Sequence, residues 1–318
     1  MWPFKKSRSP ELTADPAGGD PRARLLIDAL TARDWRTAKD VLAGVTDPDA
    51  RAYLMEAAAN VSGVQEWIRE WIDAEPDSTL PVLVKGCHAV NWAWEARGAK
   101  RAEYTQQEQF RDFFHRLRIA ENALDEVIDR DPADVTARTW LVTTSRGRQI
   151  DADEARARFD AVAARHPFHV VAHEQRLQYL CKKWFGSHEE MFAFAREATA
   201  AAPAASLIPE LIFIAHIEMW LTLPGGEDAE YIGTEEVAAE LHAAAEKSIF
   251  HPDLEFTHGW IPRANAFAMG FDLAGESEAA ARVFDLLGDN VGGWIWAYRG
   301  DAVTQFREAR DRAYAHRG

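Results

Sequence analysis

Apolar residues in this chain recur at intervals of three and four, not at every second position. After Ser187, apolar side chains fall at Met191, Phe192, Phe194, Ala195 and Ala198, with charged residues between them. Such spacing lays one apolar stripe along a helix of 3.6 residues per turn. Alternating runs of β-branched residues, the mark of half-buried strands, do not occur. The pattern therefore predicts an all-α protein.

Helix boundaries follow from residues that satisfy free backbone groups. Ser187 stands at an N-cap position with Glu190 three residues later, which predicts a capping box. Gly186 is expected to end the preceding helix in a left-handed conformation. Ser62 with Gln65, Thr105 with Glu108 and Asp151 with Glu154 repeat the signal. Pro132, Pro167 and Pro203 are spaced 35 and 36 residues apart. Proline ends one helix and fits the first turn of the next. First helices are expected to begin near Pro21, Pro48, Thr79, Pro132, Pro167, Leu207 and Leu254. Their partners begin near Asp34, Ser62, Thr105, Asp151, Ser187, Thr234 and Glu276, and a last helix starts near Trp294. Residues 224–233, rich in glycine and acid, read as a loop. Residues 1–20 read as a disordered tail and residues 21–318 as one continuous helical-repeat domain.

A repeat near 35 residues with two helices per unit is the mark of a solenoid. Ala155, Phe159 and Pro167 resemble the second-helix pattern of tetratricopeptide repeats. Ala120, Leu124 and Pro132 follow it, as do Ala280 and Phe284, with Gly292 at the proline position. This resemblance covers three units. It implies an α-α superhelix, a tetratricopeptide-like solenoid of about seven antiparallel helix pairs plus a terminal helix, whose first helices line a concave wall. The segment "KWFGSHEEMFAFARE" also resembles an uncharacterised bacterial family known only as a domain of unknown function. That likeness implies a bacterial protein and no particular activity.

Charge narrows the partners. The 318 residues carry 51 acidic and 36 basic side chains, a net charge of −15. Such a field repels nucleic acid and anionic lipid, so neither is expected as a partner. Cys87 and Cys181 provide neither a disulfide framework nor a zinc spacing. The start, "MWPFKKSRSP", lacks the apolar run of a secretory signal. The most apolar stretch, 207–223, is interrupted by Glu210, His216 and Glu218 and reads as a buried helix, not a membrane span. A cytoplasmic protein is expected.

No phosphate loop, dinucleotide fingerprint, nucleophile elbow or zinc-protease motif is present. His166, His169 and His173 fall on one helix edge, and His169, His173 and His188 form the alternative metal set. The cluster lacks a full ligand set, so neither metal nor other cofactor is expected. "AHE" at 172–174 and "AHIE" at 215–218 read as polar groups paired between neighbouring helices. Trp92 and Trp94 point to different helix faces, one to the core and one to a contact surface.

The leading expectation is a non-catalytic interaction module that binds a protein segment or helix on its concave face. The expected contact residues are Asn91, Trp92, Arg138, His173, Gln178, Lys182 and His216. The alternative is a hydrolase or metal-dependent enzyme using His and Glu residues of the central repeats. A third reading is a helical pocket for a small molecule. Convergence of polar groups on one cavity, as against an extended groove, separates these readings.

Overall fold

The computed structural model describes residues 12–98 and 106–316. The all-α expectation holds: the only extended pairing among the described residues is one parallel bridge between Ala14 and Val291. The helices are α1 (Pro21–Thr31), α2 (Trp35–Ala43), α3 (Pro48–Ala59), α4 (Val64–Ala74), α5 (Leu80–Arg97) and α6 (Gln107–Arg130). The middle of the chain holds α7 (Val135–Arg148), α8 (Ala152–Ala163), α9 (Val170–Leu180), α10 (His188–Ala201) and α11 (Glu210–Trp220). The last part holds α12 (Glu227–Ile232), α13 (Glu235–Lys247), α14 (Trp260–Ala274), α15 (Ser277–Leu287), α16 (Gly293–Trp296) and α17 (Ala302–Ala315).

Local chemistry explains most starts. Asp20, Asp47, Asp134, Asp151 and Asp301 each accept a hydrogen bond from a first-turn amide, at 2.7–3.1 Å. Ser187 does the same with the Glu190 amide at 3.2 Å. Each bond satisfies a donor that the helix itself leaves unpaired.

Several boundaries differ from expectation. Ser62 does not cap α4; Gly63 stands at the N-cap with φ 82° and no side-chain bond. The left-handed turn there suits glycine, so the chain enters the helix one residue later. Gly186 is not left-handed. A Cβ on it would lie 2.2 Å from the Leu180 carbonyl oxygen, so the residue is small because two stretches of backbone meet. Thr105 lies outside the described residues, and α6 starts with the Gln109 side chain accepting from the Gln106 amide at 3.1 Å. The 224–233 loop contains α12. α7 and α9 start three residues after their prolines, behind Asp134 and His169. The terminal helix is broken into α16, one 3-10 turn (Ala297–Arg299) and α17.

Two kinds of helix alternate. α3, α5, α7, α9, α11 and α14 pack against one another in sequence, and α3 also reaches α7 and α9. These inner helices are buried on most sides; in α11 every residue from Glu210 to Glu218 is buried. The outer helices bury one stripe, as in α10, where Met191, Ala195 and Ala198 point inward.

Residues 1–20, expected to be a disordered tail, divide. Residues 1–11 lie outside the described set. Within residues 12–20 several side chains and backbone groups make defined contacts: Ala17 is fully buried and its carbonyl accepts from the Tyr53 hydroxyl at 2.7 Å. Leu12 packs on the C-terminal core, and Asp20 pairs with His258. Asp49 of α3 reaches His166 at 3.0 Å and the Val170 amide at 2.8 Å. The early part of the chain is thus tied to its centre and its end, with a cavity between them.

Candidate functional site

That cavity has a volume of about 620 Å³, within the range of small-molecule sites. Six aromatic side chains line it: Tyr53, Trp94, Trp140, Trp184, Trp294 and Tyr298. Trp94 and Trp184 meet edge to face at 5.8 Å. Its polar groups gather at two poles.

The first pole is built around Arg263 of α14, which is 5% exposed. Its Nε and Nη2 donate to both carboxylate oxygens of Glu174 at 2.8 and 3.0 Å, and Nη1 donates to the Gly259 carbonyl at 2.9 Å. Glu56 of α3 and Glu210 of α11 each come within 3.9 Å of the same guanidinium. Three carboxyls therefore share one cation. Burial, followed by repulsion from Glu174, holds the Glu210 carboxyl well above its ordinary range. Burial also pushes Glu56 up to about 7, with Arg263 opposing and Glu174 and Asp49 adding to the rise. Protonation relieves the excess charge, as expected for carboxyls crowded in a poorly solvated site.

The second pole is built around Arg146 of α7. Its Nη2 donates to Gln175 at 2.6 Å, and its guanidinium lies 5.5 Å from the Trp184 ring centroid. Among the described residues no carboxylate forms an ion pair with it. Its Nε and the Trp184 Nε1 are buried without acceptors. The neighbouring Glu218 is already occupied, accepting from Lys183 at 2.7 Å, Gln178 at 2.8 Å and Tyr298 at 3.2 Å.

Of the seven expected contact residues, the cavity brings together two. Asn91 lines it, donating to Asn60 at 2.9 Å, and so does Gln178. The others lie elsewhere. His173 is core, 5% exposed, against Phe159 and Phe194. His216 turns outward to Tyr231 at 2.7 Å and Glu240 at 3.1 Å. Trp92 lies under Arg116 at 4.0 Å, Arg138 bonds the Pro132 carbonyl at 3.0 Å, and Lys182 is exposed on the turn after α9.

The alternative metal set does not converge. His169 caps α9 through the Ala172 amide, and burial pushes its pKa down to about 4. His173 bonds the His169 carbonyl at 2.8 Å, while His188 meets Thr222 at 3.3 Å. Among the described residues no group of three or more His, Cys, Asp or Glu side chains is placed to hold a metal ion. None of the described helices is long and apolar enough to cross a membrane.

Sequence reasoning missed Glu56, Arg146, Glu174, Glu210 and Arg263 as a set. One signal was available: Glu210 and Glu218 sit in the most apolar stretch of the chain, where a buried polar group needs a partner.

No family model matches this chain, and neither a curated protein nor a solved structure matches it. The tetratricopeptide resemblance and that to the bacterial family rest on the residues quoted for them.

Proposed function

We propose that this protein is a non-catalytic binding protein whose site is the cavity between the inner helices, and that its ligand is a small organic molecule. One observation carries the reading: side chains from α3, α7, α9, α11 and α14 converge on one recess, and polar atoms on its wall lack partners within the chain. A buried polar group without a partner costs about 1–3 kcal/mol, so a wall that keeps several is better suited to a bound ligand than to an empty state. A protein segment laid along the inner wall is served less well, because residues 14–20 and the start of α14 close in on that wall.

A thermal-shift screen of polar metabolites against the full chain tests this. Ligands should raise the melting temperature, and Thr143→Trp, which fills the recess, should abolish the shift while the variant still melts cooperatively. Ligands that stabilise the filled variant equally would place binding elsewhere.

The hydrolase alternative is favoured by the place of Glu56 on the cavity wall, where burial pushes its carboxyl up to about 7. It requires turnover of chromogenic ester or glycoside substrates that is lost in Glu56→Gln. Binding without turnover would exclude it for those classes.

A further inference from the structure

The two poles of the cavity differ in chemistry: carboxyls that outnumber their cation crowd the first, and a guanidinium with no carboxylate hydrogen-bonded to it marks the second. At the first, Glu56, Glu174 and Glu210 face one guanidinium, and only Glu174 is hydrogen-bonded to it. Glu210 is 1% exposed and neither of its oxygens accepts a hydrogen bond. At the second, Arg146 has one neutral partner, Gln175, and its Nε, like the Trp184 Nε1 beside it, has no acceptor. α9 carries both ends of the axis: Glu174 turns to Arg263, while Gln175 and Gln178 turn to Arg146 and Glu218.

We infer that the ligand is a small organic zwitterion, with an ammonium or amidinium group at Glu56 and Glu210 and a carboxylate at Arg146, and with its apolar body against Trp94, Trp140 and Trp184. The inference rests on the cavity being the binding site. A purely cationic ligand would leave Arg146 without a counter-charge, and a purely anionic one would leave the crowded carboxyls with protons as their only relief. The aromatic walls add attraction for the cationic end.

The carboxyl pole also gives the binding a pH dependence. Glu56 faces Arg263 of α14, Glu174 of α9, Glu210 of α11 and Asp49 of its own helix, and it holds a proton up to about pH 7. An alkylammonium stays protonated well above that pH. Its binding therefore displaces the Glu56 proton, and affinity rises as the pH rises through about 7.

Calorimetric titration of the full chain with three related probes tests the assignment: 4-(aminomethyl)benzoate, benzylamine and 4-methylbenzoate. At pH 8 the zwitterion should bind at least about tenfold more tightly than either singly charged probe, since each satisfied charge adds its own term. Its advantage over benzylamine should vanish in Arg146→Gln and return in Arg146→Lys. Its advantage over 4-methylbenzoate should vanish in Glu56→Gln, which removes the carboxyl that the ammonium deprotonates. Its affinity should fall from pH 8 to pH 6. Equal affinity for all three probes would leave a binding cavity but overturn the zwitterion assignment, and so would tightest binding of either singly charged probe. Failure of all three to bind would overturn it too, while hits in the metabolite screen that are lost in Thr143→Trp would still uphold the cavity as the site.

Discussion

α10 and α11 are neighbours in sequence and contact each other, yet they solve different problems. α10 lies outside. It buries Met191, Ala195 and Ala198, shows Glu189 and Glu190 to solvent, and starts behind a serine cap. α11 lies inside. It has no side-chain cap, buries Glu210, His216 and Glu218 together with its apolar residues, and has no polar face. On an outer helix polar residues are where water is, so they carry little information about function. On an inner helix each polar residue must be matched by another chain segment or by a ligand. Glu218 is matched by Lys183, Gln178 and Tyr298, and His216 by Tyr231 and Glu240. Glu210 is not matched in this way, and it lies on the cavity wall. The contrast turns the search for a site into a search for unmatched polar groups on inner helices.

If that contrast is right, removing a charge inside should cost far more than removing one outside. Arg263→Met leaves Glu56, Glu174 and Glu210 without their shared cation. Breaking a buried pair in this way costs about 3–5 kcal/mol. Arg69 on α4 pairs with Asp73 at 2.8 Å, but their side chains are 79% and 58% exposed. Arg69→Met should therefore leave stability almost unchanged. Urea unfolding at pH 7 would show the two side by side. The Arg263→Met deficit should shrink at pH 5, where the stranded carboxyls take up protons. Similar losses for both variants would remove the distinction between the two kinds of helix.

Glu56 sharpens the comparison through pH. Its carboxyl is pushed up to about 7 from an ordinary 4.5. A group whose folded pKa lies above its unfolded value holds its extra proton in the folded state. The stability it contributes is complete below about pH 4.5 and is lost as the pH rises through about 7. The shift corresponds to at most about 3 kcal/mol, and the 32% of the side chain open to the cavity reduces this to about 2 kcal/mol. Glu56→Gln removes the penalty. Relative to the parent, the variant should gain about 2 kcal/mol in stability between pH 5 and pH 8, read from paired urea melts. A constant difference across that range would mean that Glu56 titrates as an ordinary surface carboxyl.

The same contrast explains what the sequence revealed and what it concealed. Outer helices repeat one apolar stripe, a local pattern, and four residues suffice to show Asp151 and Ser187 as the caps of α8 and α10, although α4 and α15 start without a side-chain cap. Inner helices have no stripe, because neighbours cover them on every side, so periodicity says nothing about which face meets the cavity. Arg138 and Lys182 stand out in the sequence as long cations on an inner helix or just after one. The chain instead turned Arg146, two helical turns along from Arg138, to the cavity. The Glu174–Arg263 contact joins residues 89 positions apart, and no local pattern announces such a meeting. Asp49 with His166, and Asp20 with His258, are likewise distant pairs that close the chain around the cavity. At Gly186 the sequence suggests a left-handed helix end, whereas the need for glycine comes from the Leu180 backbone pressed against it, not from its own torsion angles.

The smallest measurable loss belongs to Ser187, an outer residue whose role is local. Its hydroxyl accepts from the Glu190 amide at 3.2 Å and thereby satisfies one of the donors that α10 cannot pair internally. Glu189 and Glu190 in the first turn suit the positive end of the helix dipole and remain in place when the hydroxyl is lost. Ser187→Ala should thus cost about 1 kcal/mol, the usual value of a capping hydroxyl, measured as a lower urea midpoint with an unchanged slope. Ligand affinity should not move, since Ser187 is absent from the cavity wall. Ser187→Asp should restore the loss, because a carboxylate caps as well and adds favourable charge at the helix start. If instead Ser187→Ala left the midpoint unchanged and weakened ligand binding, α10 would belong to the site, and the division between structural outer helices and functional inner ones would fail at the residue where it is easiest to test.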